Sequence, residues 1–192
     1  MADSLIPQTR IDRFLGHLSS VLSLQGDVAE AGVYKGGSAI QFAALLKRAG
    51  SSKELFLFDT FTGMPATDPV KDIHKQGNFN DVVLDHVRHE FKQYEFAHLV
   101  PGLFSDTLST VADKKFCFVH IDCDIYSAIR ECTEFFYPRM VPGGIIVYDD
   151  YCSPSCPGAK LAVDEFFVNK REKVPAEVSG AGSFDYALIV KE

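Results

Sequence analysis

No stretch of the sequence reaches the roughly 18 consecutive apolar residues that a membrane-spanning helix needs, so no span is expected. The opening MADSLIPQTRIDRF has no apolar run behind a basic segment, which argues against a secretory signal and makes the cytoplasm the expected location. A basic excess is lacking too: 19 Lys and Arg stand against 26 Asp and Glu, a net charge of −7. Nucleic acid and anionic membrane both demand a basic face, so neither is expected as a partner. Cysteine is sparse and odd in number, with five residues at 117, 123, 132, 152 and 156. Without an export signal, that count reads as reduced thiols rather than a disulfide framework. No CxxC pair occurs. His120, Cys123, Cys152 and Cys156 suggest zinc only through the Cys152-x-x-x-Cys156 spacing. The plainer reading puts His120 in a strand core and packs Cys156 at a helix start. Repeats, low-complexity tracts and linkers are also missing. With 192 residues and 46% hydrophobic content, one domain over 1–192 is expected, residues 1–25 forming an N-terminal helical segment.

What is present is an alternation of strands and helices. Residues 9–24 carry Ile11, Phe14, Leu15, Leu18, Val21 and Leu22 at helical spacing. DVAEAGV (27–33) reads as a strand, and Ser38 to Arg48 as a helix. ELFLFD (54–59) is a compact apolar run ending in Asp, as a buried parallel strand should be. A Pro-, Gly- and Thr-rich loop precedes a helix over 80–93 and a strand over 96–100. KKFCFVHID (114–122) is a strand in which Phe116 and Phe118 alternate with Cys117 and Val119 as core. A helix over 126–139, a strand over 142–150 and a helix over 161–170 follow, then a hairpin of 174–178 and 184–191. Such alternation predicts an α/β fold: a mostly parallel sheet with helices on both faces and an antiparallel pair at one edge.

In an open parallel sheet, ligands bind beyond the carboxyl ends of the strands. The first strand runs into EAGVYKGGS. There Gly32 permits close backbone approach, Gly36 and Gly37 precede a helix that Ser38 can cap, and Glu30 can meet an amino group. The amides at that helix start suit an anion such as a carboxylate. Asp59 ends the second strand, where a carboxylate can accept hydrogen bonds from the two hydroxyls of a ribose. The spacing Gly-x-x-x-Gly-Gly differs from the Gly-x-Gly-x-x-Gly of a dinucleotide site, which favours S-adenosylmethionine over a pyrophosphate-bearing ligand. HIDCD and IIVYDDY end the fourth and fifth strands, so Asp122, Asp124, Asp149 and Asp150 should crowd one rim. Such like charges repel unless neutralised, and an all-oxygen set favours Mg²⁺, with Mn²⁺ or Ca²⁺ as alternatives. A metal would lower the pKa of an acceptor hydroxyl, and a spare carboxylate could take its proton. Asp124, furthest along the rim, is the expected base. Its competing reading is a cap on the helix starting at Tyr126.

In order along the chain, EAGVYKGGS, LFLFDTFTGMP, GNFNDVVLDHVRHEF, PGLFSDTL, HIDCDIYSA, YPRMVPGGIIVYDDY and GAKLAVDEFF resemble the macrocin O-methyltransferase-like family. Those enzymes methylate sugar hydroxyls, many on antibiotic glycosides, using S-adenosylmethionine and Mg²⁺. The resemblance covers about residues 26–170. It implies a Rossmann-like class I methyltransferase with a mostly parallel seven-stranded sheet. Asp122, Asp149 and Asp150 then match metal ligands, Asp124 the base, and Glu30, Gly32, Ser38 and Asp59 cofactor positions. The implied partner is a small hydroxylated acceptor such as a sugar, glycoside or other diol. Members of the family carry lid and oligomer elements at the N-terminus, where this chain is shorter, and a homo-oligomer stays open. Cys123 stands where a Gly is usual. Two other functions compete. A nicotinamide-dependent oxidoreductase would show a pyrophosphate turn and a Tyr-x-x-x-Lys pair, and neither is present. A non-catalytic cofactor-binding module would have a degraded carboxylate cluster, whereas this one is intact.

Overall fold

A computed structural model of the chain describes residues 4–174, 176–177 and 186–192. The elements run α1 (Gln8–Ser20), β1 (Asp27–Ala31), α2 (Gly37–Arg48), β2 (Leu55–Asp59), α3 (Leu84–Phe91), β3 (Ala97–Pro101) and α4 (Phe104–Thr107). They continue with β4 (Phe116–Ile121), α5 (Tyr126–Phe136), β5 (Met140–Tyr148), α6 (Pro157–Phe167), β6 (Ala176–Glu177) and β7 (Tyr186–Val190). Among the described residues the strands form one seven-stranded sheet in the order β3-β2-β1-β4-β5-β7-β6. β7 runs antiparallel to both neighbours, and the other pairings are parallel. The expected edge pair is therefore present, while the residues joining it, 178–185, lie outside the described residues.

Two apolar layers sandwich the sheet. On one face Ile129 and Phe136 of α5 and Val163 and Phe167 of α6 pack against Phe116, Val119 and Ile121 of β4. On the other, Phe14 of α1, Phe42 and Leu46 of α2 and Phe91 of α3 meet Leu55, Leu57 and Phe118. β4 is buried along its whole length, as a central parallel strand must be. Its alternation is broken at one point. Asp27 pairs with Phe116 but Val28 pairs with Phe118, so Cys117 is an extra residue. Phe116 and Phe118 consequently face opposite layers, which corrects the expected alternation.

Other boundaries also differ from the sequence reading. α1 stops at Ser20, before Val21 and Leu22, and α3 is eight residues long rather than fourteen. α5 gives way to a 3₁₀ turn over Tyr137–Arg139. β5 begins at Met140, so the Pro-Gly-Gly lies inside the strand at an irregular register. α6 begins at Pro157, a residue whose fixed φ and missing N–H suit a first helical turn. Residues 101–113 carry no predicted element, yet α4 and a 3₁₀ turn over Leu108–Val111 occupy them. Among the described residues no helix is long and apolar enough to cross a membrane.

The chain leaves β1 for β2 on one side and returns to β4 on the other, so the crevice between the ends of β1 and β4 is the switch point. Gly32 seals its base. Its amide donates to Phe58 O at 2.9 Å, and Asp122 N donates to Ala31 O at 2.8 Å. Gly32 has φ +91°, and a Cβ there would lie 1.8 Å from the carbonyl oxygen of Asp122. Gly32→Ala should therefore destabilise the fold by about 3 kcal/mol, combining left-handed strain with overpacking against backbone. A urea-denaturation midpoint equal to that of the parent would contradict this.

Candidate active site

A cavity of about 620 Å³ opens over the ends of β1, β2, β4 and β5. One wall is the β1–α2 turn, where Tyr34 (φ +50°) and Gly36 (φ +86°) hold the left-handed conformation and deliver the chain to Gly37, the first residue of α2. Asp59 shapes this turn. Its Oδ2 accepts from Val33 N and Tyr34 N, both at 2.8 Å, and its Oδ1 from Phe61 N at 2.7 Å and Thr60 Oγ1 at 3.4 Å. Those four bonds match the roughly four lone-pair sites of a carboxylate. Ser38 and Gly32 also line the cavity. Glu30 stands behind Ser38, fully buried, accepting from Ser38 Oγ at 2.5 Å with His120 Nδ1 2.8 Å away. Glu30 Oε2 and His120 Nε2 are buried without a protein partner.

The opposite wall carries the acids. Asp122 directly follows β4, and Asp149 and Asp150 directly follow β5. The strand geometry expected to carry Asp124 does not continue that far. Ile125 N instead donates to Cys123 O at 2.6 Å, closing a γ-turn with Asp124 at φ +59° in its centre. The turn nevertheless brings Asp124 to its neighbours: ligand oxygens of Asp122, Asp124 and Asp150 all lie within 4.8 Å of one another. Asp122 and Asp149 form a second such group with His120. Burial, and after it the charges of Asp149, Asp150 and Asp124, pushes Asp122 well above the usual carboxylate range. Burial and Asp150 do the same to Asp124. Asp149 is also raised by burial and Asp150, but His120 and Arg10 oppose the shift.

Arg10 is the residue of this cavity that the sequence reading missed. Its Nη1 donates to Asp149 Oδ1 at 2.8 Å, and both side chains are almost fully buried. The available signal was a cation on the apolar stripe of α1, four residues before Phe14 and eight before Leu18. The cap of α5 was also misplaced. Asp72, from the loop between β2 and α3, accepts from Tyr126 N at 2.8 Å, so the capping role considered for Asp124 falls to Asp72. That loop is pinned again where Met64 N donates to Asn78 O at 2.8 Å and Gly77 N to Met64 O at 2.9 Å. Tyr126 and Tyr151, which flank the acids in sequence, direct their hydroxyls to Glu165 and Asp164 of α6. The weighed zinc set of His120, Cys123, Cys152 and Cys156 forms no ligand group among the described residues.

Sheet order, reversed seventh strand and a crevice at the β1–β4 switch define a Rossmann-like methyltransferase fold. A sequence model described as macrocin O-methyltransferase (TylF) matches residues 1–180. The chain is 30% identical over 199 residues to the 8-demethyl-8-(2,3-dimethoxy-alpha-L-rhamnosyl)-tetracenomycin-C 4'-O-methyltransferase of Streptomyces olivaceus, covering 96% of this chain and 75% of that protein. It is 30% identical over 182 residues to the mycinamicin III 3''-O-methyltransferase of Micromonospora griseorubida, covering 86% and 70%. Among solved structures, the O-methyltransferase NovP superposes with a TM-score of 0.84 at 24% identity, covering 98% of this chain and 81% of that one. The chain belongs to the macrocin O-methyltransferase family and is an O-methyltransferase.

The Arg10–Asp149 pair yields a stability prediction. Arg10→Met leaves a buried carboxylate beside Asp150 with its cation removed, and about 3 kcal/mol of stability should be lost at neutral pH. Adding Asp149→Asn should recover part of that loss. Urea melts of the two single variants and the double variant measure the coupling, and an unaltered Arg10→Met midpoint would contradict the assignment.

Proposed function

We propose that this enzyme transfers the methyl group of S-adenosylmethionine to a hydroxyl of a sugar, glycoside or similar diol, with a divalent cation at the strand-end carboxylates. The observation that carries this reading is the convergence of carboxylate oxygens from Asp122, Asp124 and Asp150 on one cavity wall, opposite the β1–α2 turn. The name of the tetracenomycin relative, an O-methyltransferase of a rhamnosyl compound, supports a sugar-bearing acceptor.

The cofactor fits the other wall. Its sulfonium and ammonium are cationic, and the cavity is lined by Asp59, Asp122, Asp124, Asp149, Asp150 and Glu131 against the single guanidinium of Arg10. Ser38 and the amide of Gly37, in the first turn of α2, suit the methionine carboxylate, while the Gly36 amide is taken by Val33 O at 2.8 Å. The orphaned Oε2 of Glu30 is a carboxylate oxygen still wanting a donor, as the cofactor's amino group would be. At Asp59, a ribose hydroxyl would replace the 3.4 Å contact from Thr60, the longest of its four.

The donor set also fits a hard cation: it is all oxygen, half-buried and mutually repelling, as Mg²⁺ sites are, with Mn²⁺ or Ca²⁺ as alternatives. Asp122, Asp149 and Asp150 would hold the ion, with Arg10 fixing Asp149 through Oδ1. When bound, the ion supplies Lewis-acid polarisation that lowers the pKa of the acceptor hydroxyl. Asp124 then accepts the hydroxyl proton. The walls from the β2–α3 loop and the N-terminal segment shield the in-line displacement from water. The unit acting is the single domain, in the cytoplasm, on a small molecule.

Asp124→Asn should keep the melting temperature and cofactor affinity while reducing the methyl-transfer rate by roughly 10²-fold or more, the scale of general-base catalysis. Chelation should abolish transfer from the parent enzyme while calorimetric binding of S-adenosylmethionine persists. A fully active Asp124→Asn variant would remove the base, and full activity in metal-free buffer would remove the cation.

A further inference from the structure

Cys156 borders an apolar core layer, yet three polar side-chain atoms lie close to its sulfur. It is 2% exposed and is the residue before α6. Its Sγ lies 3.6 Å from His74 Nε2, 3.6 Å from Ser155 Oγ and 3.4 Å from Asp124 Oδ1, to which it donates. His74 Nε2 lies 3.9 Å from that same oxygen. One imidazole nitrogen, one carboxylate oxygen and one sulfur thus form a triangle with edges of 3.6, 3.4 and 3.9 Å. Tetrahedral zinc, with bonds of about 2.3 Å to sulfur and about 2.0–2.1 Å to nitrogen and oxygen, separates such donors by roughly 3.5, 3.5 and 3.3 Å. Two edges already agree, and the third closes with a small shift of the imidazole toward Asp124.

We propose that His74, Asp124 and Cys156 form a second cation site, specific for zinc or a similar borderline transition metal and distinct in donor chemistry from the all-carboxylate cluster. The mixed nitrogen, sulfur and oxygen set suits that class of ion and is a poor match for Mg²⁺. All three residues line the cavity, so the fourth position faces its interior and is open to water or an acceptor oxygen. The donors come from three separate segments: the β2–α3 loop, the γ-turn after β4 and the residue before α6. An ion there exchanges with the thiol proton and staples the loop to the ends of β4 and α6. It also engages Asp124. If Asp124 is the proton acceptor of the reading above, occupancy stops methyl transfer, while the binding itself does not depend on that reading.

Cobalt serves as the spectroscopic probe. One equivalent of Co²⁺ added to the reduced protein should give a near-ultraviolet thiolate-to-cobalt charge-transfer band with the intense visible bands of tetrahedral geometry. A cobalt ion at the carboxylate cluster alone gives no thiolate band. Cys156→Ser should abolish the band, and Cys152→Ser and Asp122→Asn should retain it. His74→Ala keeps the thiol and tests the triangle independently. It should weaken cobalt and zinc binding by more than the roughly 10–100-fold typical of an outer-shell partner. Circular dichroism and thermal melts establish that each variant is folded. Zinc added in the presence of excess Mg²⁺ should inhibit the parent enzyme far more strongly than Cys156→Ser. Absence of the band in the parent, its survival in Cys156→Ser, or unaltered affinity in His74→Ala would overturn the site.

Discussion

Four carboxylates stand at the ends of two adjacent parallel strands, and their mutual repulsion organises everything around them. Asp122 and Asp124 follow β4, Asp149 and Asp150 follow β5, and β4 and β5 are hydrogen-bonded neighbours. Like charges at this spacing, with Asp149 buried and the other three half-buried, are relieved when a cation reaches them or protons stay on. The chain supplies part of the answer itself. Arg10, carried on α1 from the opposite end of the sequence, reaches in to bind Asp149. The N-terminal helix is therefore an electrostatic component of the site as well as a cover for one face of the sheet. Asp122, Asp124 and Asp150 line the same cavity without a cation of their own among the described ion pairs with Lys or Arg.

Backbone strain is concentrated in the same place. Tyr34, Phe61, Phe79 and Asp124 are the described non-glycine residues with positive φ, and three of them line the cavity. Such conformations persist only where surrounding bonds over-determine them. Asp59 does this for Tyr34 and Phe61, accepting from both amides. The γ-turn amide of Ile125 does it for Asp124. Rigid turns of this kind hold polar groups in place before a ligand arrives, which lowers the entropy lost on binding.

The fold was largely legible because its signals are periodic. Strands buried on both faces read as short apolar runs, and each run that ended in an acid placed that acid at the rim: Asp59, Asp122, Asp149 and Asp150 all lie where the run stops. The bulge at Cys117 could not be read, since an inserted residue leaves an apolar run apolar. α4 is a single turn, too short to show a period. The site's other half was hidden for a different reason. Arg10, Asp72 and His74 reach it from a helix and an irregular loop, and their partners lie 139, 54 and 50 residues away in sequence. Nothing local marks such residues. Only the cation on the apolar stripe of α1 hinted that Arg10 points inward.

The loop between β2 and α3 keeps its support and its cavity-facing surface on different residues. It is fastened at a few points: Thr60 Oγ1 to Gly63 O, Met64 to Gly77 and Asn78, and Asp72 to the first amide of α5. The last fastening is tight, because a Cβ on Gly158 would come within 2.2 Å of Asp72 Oδ1. Between these rivets Pro65 and Ala66 face the cavity. The rivets fix the path of the loop through bonds that the side chains of Pro65 and Ala66 do not make, so the support of this wall and its surface are set by different residues.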